Sequence, residues 1–394
     1  MSNFGDGFVM INRRVYLDYA ATTPVDAAVL ECMLPFFKEN FGNPSSTHFY
    51  GQQAEAGVEQ AREILAESLN AQPREIVFTA CGTESDNLAL RGAAMKRSQQ
   101  GRRHILISGT EHHAVLRTAE QLARDYGFTV ELLPVDADGR VDPDSVRARI
   151  RPDTALVSVI YANNEIGTIN PIAEIGAICR QAGVWFHTDA VQAAAHLNID
   201  VAAENIDLLS LGAHKLYGPK GVGALYVRQG IDLLPAQTGG GQENDLRAGT
   251  YNVPYIAGFG KAVQLAVENR PMRNLHDQAL RDRIISTVMS SIPEVKRTGH
   301  PQNRLPNHAS FTFSNLDGNR LVMMLDMAGF ACSSGSACKV GDAKPSDVLM
   351  ALGLTSDWLM GSLRVTVGKE TSEEEVDAFL NVLPGLIEKT RRLG

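Results

Sequence analysis

The run 155–161 carries apolar side chains at odd and even positions alike, so as a strand it must be buried on both faces. That demand constrains the fold more than any other feature, because such a strand belongs to a sheet with helices packed on either side. Similar short runs recur at 75–79, 104–108, 129–133, 184–187, 206–211 and 223–227. Stretches with apolar residues three and four apart, such as 52–69 and 84–97, lie between them. The alternation predicts an α/β domain with a mainly parallel sheet covered by helices. Beyond TGGGQENDLRAGT the pattern changes to helices at 253–268 and 272–291, strands at 309–313 and 363–367, and an amphipathic helix from 372. We expect a large α/β domain over 15–260 and a smaller α+β domain made of 1–14 and 261–394.

Composition narrows the function. The 394 residues suffice for a sizeable core, and 37 Lys+Arg against 45 Asp+Glu leave a net charge of −8 with the acids dispersed. That balance argues against a general nucleic-acid or membrane-surface binder. No run approaches the ~18 apolar residues of a membrane-spanning helix, and residues 1–14 lack the layout of a secretory signal. The five cysteines (Cys32, Cys81, Cys179, Cys332, Cys338) form no CxxC pair, which disfavours a disulfide framework or a zinc ribbon and suits a reducing cytoplasm.

In an open parallel sheet, ligands bind beyond the carboxyl ends of the strands. The residues there are polar in five places: Cys81-Gly82-Thr83, Glu111-His112-His113, Asn163-Asn164-Glu165, Thr188-Asp189 and His214-Lys215. Lys215 follows an apolar strand, where low polarity would depress its pKa and free a nucleophilic amine; alone, it would read as a solvated lysine. Asp189, at the end of another strand, changes that balance. A carboxylate can keep a pyridine nitrogen protonated while a lysine amine condenses with an aldehyde, the pairing that makes pyridoxal phosphate an electron sink. Gly82 and Thr83 open a helix whose first N–H groups suit a phosphate, or else form an ordinary cap. Gln192, three residues after Asp189, could reach a phenolic oxygen, and His112 could stack on a ring or carry protons.

The ligand types in Glu111-His112-His113 and His187-Thr188-Asp189 also admit a metal. Adjacent side chains diverge, however, and no HExxH is present, so no metal site is expected. Cys338 closes SSGSAC in a Gly/Ser/Lys-rich loop over about 331–345, where Lys339 favours a thiolate. Cys332 follows an apolar segment and is expected to pack, as is Cys81. Arg364 could clamp a carboxylate through two parallel hydrogen bonds.

The motifs LDYAATTP, FGNPSSTH, GTESDN, TEHHAV, NNEIG, HTDAVQ, AHKLYGPKGVGALY, GGGQE…RAGT and SSGSAC jointly cover nearly the whole chain from about residue 15. Together they resemble the cysteine desulfurases, the NifS/IscS-like group of the fold-type I (class V aminotransferase) pyridoxal-phosphate enzymes. The resemblance implies pyridoxal 5'-phosphate bonded to Lys215, with Asp189 at its ring nitrogen, His112 stacked on the ring, and Gln192 and Asn164 as cofactor or substrate contacts. Gly82, Thr83 and His214 would hold the phosphate. Thr250 would reach the phosphate of a neighbouring subunit, making a homodimer. Arg364 would bind the carboxylate of L-cysteine. Cys338 would take the sulfur as a persulfide and pass it to a protein acceptor, such as an iron–sulfur scaffold or a thiolation carrier.

Two positions depart from the family pattern. Gly212 stands where relatives commonly carry a Ser or Thr phosphate contact, and SSGSAC continues with KVGDAKPSD instead of a small polar pair. Alternatives within the cofactor class are an aminotransferase, a selenocysteine lyase or a kynureninase-like enzyme, though a transaminase needs no loop thiol. An idle sulfur-trafficking scaffold is the alternative outside it, and the intact Lys215, Asp189 and Cys338 weigh against that reading.

Overall fold

The computed structural model describes residues 14–335 and 345–393. A short strand β1 (Val15–Tyr16) leads into helices α1 (Ala27–Met33), α2 (Pro35–Lys38) and α3 (Phe49–Ser68). Then β2 (Ile76–Thr79), α4 (Gly82–Ser98), β3 (His104–Ser108), α5 (His113–Tyr126), β4 (Thr129–Leu133), α6 (Pro143–Arg149), β5 (Thr154–Ser158), α7 (Ile172–Gln181) and β6 (Trp185–Asp189) alternate. Strands β7 (Leu208–Gly212) and β8 (Gly223–Val227) complete a seven-stranded sheet of order β2-β8-β7-β6-β5-β3-β4. Only β8 runs antiparallel to its neighbours, so the sheet is mainly parallel.

Both faces are covered. Leu65 and Phe259 join Phe186 and Val157 in one core cluster, and Leu90 and Val115 join Ile105 and Leu156 in another. The central strands are less apolar than their sequence suggests. Ser158, His187 and Ser210 are fully buried on β5, β6 and β7; Ser158 pairs in register with His187, Ser210 lies two residues further along, and His187 bridges the two hydroxyls at 2.8 and 3.0 Å.

The two helices expected at 253–268 and 272–291 are one continuous helix, α8 (Val253–Ser291), with Pro271 inside it. An interior proline costs ~3 kcal/mol. Burial on both sides of it offsets that cost: Phe259 and Ala262 enter the first core, while Leu280, Ile284 and Val288 enter a C-terminal one, at roughly 1.5–3 kcal/mol for each large side chain. That C-terminal core is built by β9 (Val295–Arg297), β10 (His308–Phe313), α9 (Gly318–Met327), β11 (Phe330–Ala331), β12 (Ser362–Thr366) and α12 (Glu373–Leu393), while α10 (Asp347–Ala351) and α11 (Ser356–Leu359) pack on a separate small cluster around Ile166. Phe311, Phe313, Phe330 and Phe379 fill it together with Val15 and Leu17, because β1 pairs in parallel with β11.

The segment before α8 is unusual. Glu243, Asn244 and Asp245 are all left-handed, with φ of 51°, 54° and 63°, a conformation that costs non-glycine residues free energy. Glu243 is anchored by a buried two-pronged ion pair to Arg62 at 2.8 and 2.9 Å, and its Oε2 also accepts the Phe78 N–H. Phe37 packs edge-on to Tyr255, and the apolar residues Leu30, Leu34, Phe37, Phe41 and Phe49 of the 30–49 stretch are half or more exposed. Among the described residues, no helix is long and apolar enough to cross a membrane.

Candidate active site

A cavity of about 350 Å³ opens beyond the carboxyl ends of the parallel strands. It is lined by Gly82, Thr83, His112, Asn164, Asp189, Gln192, His214, Lys215 and Arg364, so these expected site residues meet in one place. Thr250 does not line it and is exposed just before α8. Cys338 lies outside the described residues. Cys332 is buried in the C-terminal core, whereas Cys81, expected to pack, is only partly buried and lines the cavity.

Each element brings its residue for a local reason. Helix α4 begins at Gly82 with no side-chain cap from Cys81, so its first N–H groups remain available at the cavity. His112 is the N-cap of α5, and its Nδ1 accepts the Ala114 N–H at 3.1 Å. That bond keeps the proton of the neutral ring on Nε2, and the enclosing protein lowers the His112 pKa. Asn163 fixes the turn that carries Asn164, since its Oδ1 accepts the Glu165 and Ile166 N–H groups and its Nδ2 donates to Thr110 O.

Lys215 ends a 3-10 turn after β7. Its Nζ donates to Ala20 O and Ala21 O at 2.7 and 2.6 Å. Burial is the main cause that lowers its pKa to about 8, assisted by Arg364 and opposed by Asp189 and Asp18. Gln192 Nε2 donates to the same Ala20 O at 2.8 Å, and His214 Nδ1 lies 3.2 Å from Thr22 Oγ1. Burial, with Lys215 and Lys220 nearby, holds His214 neutral at a pKa of about 4.

Around Asp189 the site is acidic. Burial raises its pKa, while His112, the Val191 N–H and Lys215 pull it down. Sequence reasoning missed one group beside it, Asp86, and weighed another, Glu111, only as a metal ligand. Asp86 of α4 lines the cavity, is fully buried, and has its pKa pushed well up by burial and by Asp189. Its Oδ1 has no hydrogen-bond partner among the described residues. Glu111 accepts from Ser108 Oγ at 2.8 Å and Ile160 N at 2.7 Å, and burial pushes it up to about 8. Donor atoms of Asp86, His112 and Asp189 lie within 4.8 Å of one another. That cluster suits a cationic guest, but Lys215 and Arg364 in the same cavity disfavour a divalent ion more than a ring bearing one proton.

Arg364 of β12 donates from Nη1 to Asn164 O and from Nη2 to Asp18 Oδ1, both at 2.9 Å. Its Nε is buried without a partner among the described residues. Asp18 and His308, whose Nε2 lies 3.1 Å from Asn164 O, were also missed. Asp18 had a signal, an acid inside LDYAATTP; His308 had none, because its role depends on a contact 144 residues away.

Residues 15–379 match the class-V aminotransferase family model, and the chain belongs to that family. Within the family it groups with the cysteine desulfurases. It is 47% identical over 385 residues to the cysteine desulfurase IscS of Clostridium botulinum, covering 97% of this chain and 96% of that protein. A NifS-like protein structure superposes with a TM-score of 0.89 at 37% identity, covering 95% of this chain and all of the other. The structure of SspA in complex with cysteine superposes at 0.79 with 38% identity, covering 91% and 99%. The aminotransferase, selenocysteine lyase and idle-scaffold alternatives gain nothing from these relatives.

The depressed pKa of Lys215 has a direct readout. In the cofactor-free protein its labelling by trinitrobenzenesulfonate, followed by peptide mapping, is expected to reach half its maximal rate near pH 8, against the ordinary lysine value of 10.5. A midpoint near 10 would mean a solvated amine.

Proposed function

We propose that this chain is a pyridoxal-phosphate-dependent cysteine desulfurase that converts L-cysteine to L-alanine and carries the released sulfur on Cys338. The observation that supports it most is the meeting of the Lys215 amine and the Asp189 carboxylate in one buried cavity that Arg364 also lines.

The residues fit the cofactor. The uncapped start of α4 at Gly82 and Thr83, with His214, suits a phosphate. A buried acidic cluster in which Asp86 Oδ1 and Glu111 Oε2 lack hydrogen-bond partners among the described residues suits a protonated ring nitrogen at Asp189. His112 would cover the ring face, and Gln192 and Asn164 would bind polar atoms of the cofactor or substrate. When bound, pyridoxal phosphate supplies an electron sink at the substrate α-carbon.

The chain's own groups do the rest. N–H groups of Arg364 not engaged by Asn164 or Asp18 would receive the substrate carboxylate. The Lys215 amine, with a pKa of about 8, takes the α-proton and returns a proton to carbon, with neutral His112 holding its proton on Nε2 alongside. Cys338 Sγ, as thiolate, bonds to the substrate sulfur; the carbon–sulfur bond breaks, its electron pair stays with the carbon fragment, and that fragment leaves as alanine after protonation. Cys338 then bears a persulfide for a protein acceptor such as an iron–sulfur scaffold or a thiolation carrier. A reducing cytoplasm suits a reactive Cys338 and the free Cys32, Cys81, Cys179 and Cys332.

Alanine formation from L-cysteine by the purified protein, supplied with pyridoxal phosphate and a reductant, tests the reaction. The parent is expected to form alanine, and Cys338→Ala to lose at least a hundredfold in rate while keeping the cofactor's visible band. Equal alanine from both would remove Cys338 from the mechanism.

A homodimer is supported by the exposed Leu34, Phe37, Phe41 and Phe49 and by the anchored 243–245 turn that leads to Thr250. Sedimentation equilibrium is expected to give twice the 42.7 kDa chain mass, and Phe37→Glu to shift it toward a single chain. A parent of single-chain mass would overturn the shared-site reading.

Gly212 offers a third check. A Cβ there would lie 3.7 Å from the Gly82 nitrogen and clash with nothing, so Gly212→Ser adds a hydroxyl beside the phosphate position. Cofactor titration is expected to show about three- to tenfold tighter binding, in keeping with roughly 1 kcal/mol for one hydrogen bond. Unchanged binding would place the phosphate elsewhere.

A further inference from the structure

We propose that Asp18 is a positioning residue for Arg364, holding the guanidinium at the angle at which its remaining N–H groups meet the α-carboxylate of the substrate. The inference rests on the reading of Arg364 as the carboxylate-binding group.

A free arginine side chain has four rotatable bonds and would lose much entropy on meeting a carboxylate. Here the fork is fixed beforehand. Nη1 is held by the Asn164 carbonyl and Nη2 by Asp18 Oδ1, each at 2.9 Å, on opposite prongs. Asp18 cannot follow the arginine if it moves, because it is fixed as well. Its Oδ2 accepts from Ser333 Oγ at 2.8 Å, its carbonyl accepts from Tyr16 Oη at 3.0 Å and from Ala21 N at 2.9 Å, and its backbone bridges to Thr366. Ser333 is in turn bridged to the Arg364 backbone through two hydrogen bonds of 3.2 and 2.7 Å. The result is a closed ring, Arg364 to Asp18 to Ser333 and back to Arg364, in which both side chains of the ion pair are at most 15% exposed. Asp18 also gives this partly buried cation a counter-charge before substrate arrives, so the incoming carboxylate is met by aimed donors and little net charge. The same carboxylate is present in L-cysteine and L-alanine, and such an arrangement favours orientation over tight retention of product.

The test uses spectral titration of the cofactor-loaded Cys338→Ala protein, where sulfur transfer is blocked, together with steady-state kinetics in the parent. Asp18→Ala is expected to weaken L-cysteine binding and raise KM about tenfold while changing kcat less than threefold. Asp18→Asn keeps an acceptor for Nη2 and is expected to stay within threefold of the parent. Binding of cysteamine, which has no carboxylate, is expected to be unchanged by either variant. In an Arg364→Ala background, Asp18→Ala is expected to add nothing. Should Asp18→Ala lose the cofactor's visible band, Ser333→Ala, which removes only the tether on Oδ2, is expected to raise KM about threefold. The proposal fails if Arg364→Ala weakens L-cysteine binding and Asp18→Ala does not, or if Asp18→Ala weakens cysteamine equally. If Arg364→Ala leaves L-cysteine binding intact, the underlying reading of Arg364 fails instead.

Discussion

The amine of Lys215 is the point on which the site's assembly depends. A lysine taken out of water must either find acceptors or give up its proton. This one does part of each, resting on the carbonyls of Ala20 and Ala21 with its pKa drawn down to about 8. The segment that supplies those carbonyls therefore has to lie over the end of the sheet. Once there, it also receives Gln192 on Ala20 O, His214 on Thr22, and Arg364 on Asp18. One short stretch of backbone near the start of the chain thus sets the geometry of groups that reach it from β6, β7 and β12.

Opposite the lysine, the fold gathers more acid than a buried cleft tolerates unaided. Burial raises the pKa of Asp86, Glu111 and Asp189, and the charge of Asp189 pushes those of Asp86 and Glu111 up further. Among them only Asp189 stands at a strand end where a ring nitrogen can approach along the cavity. The other two are held within the fold by Ser210 and by Ser108 with Ile160. Neutral, proton-bearing Asp86 and Glu111 would leave Asp189 as the single anion, the charge pattern that a protonated pyridine requires.

Much of this was legible in the sequence. The positions just after five of the seven apolar runs contribute to one cavity because the ends of parallel strands share an edge, and short polar clusters after hydrophobic runs survive any small error in strand boundaries. Elements were missed where tertiary packing overrides local preference. Pro271 and its polar neighbours suggested two helices, but burial at both ends of α8 carries the helix through. Ser158 lies inside an apolar run, and its partner is set by the strand register that places it beside His187. Asp86 shares the inward face of α4 with Gly82 at a spacing of four, a signal that helical periodicity could have yielded. The pairing of Asp18 with Arg364 spans 346 residues and has no local trace.

The pairing of β1 with β11 also orders events during synthesis. Tyr16 and Leu17 leave the ribosome early, yet their partners, Ala331 and the strand that ends at Thr366, come more than 300 residues later. At the 5–20 residues added per second typical of translation, that interval lasts from roughly 15 seconds to a minute. During it the seven-stranded sheet can close while the stretch destined to lie over Lys215 has no strand to dock on. Until β11 and β12 arrive, that stretch has only its bonds to Gln192, His214, Lys215 and Tyr217 to hold it, so the cover over the lysine is fastened from one side before it is fastened from the other.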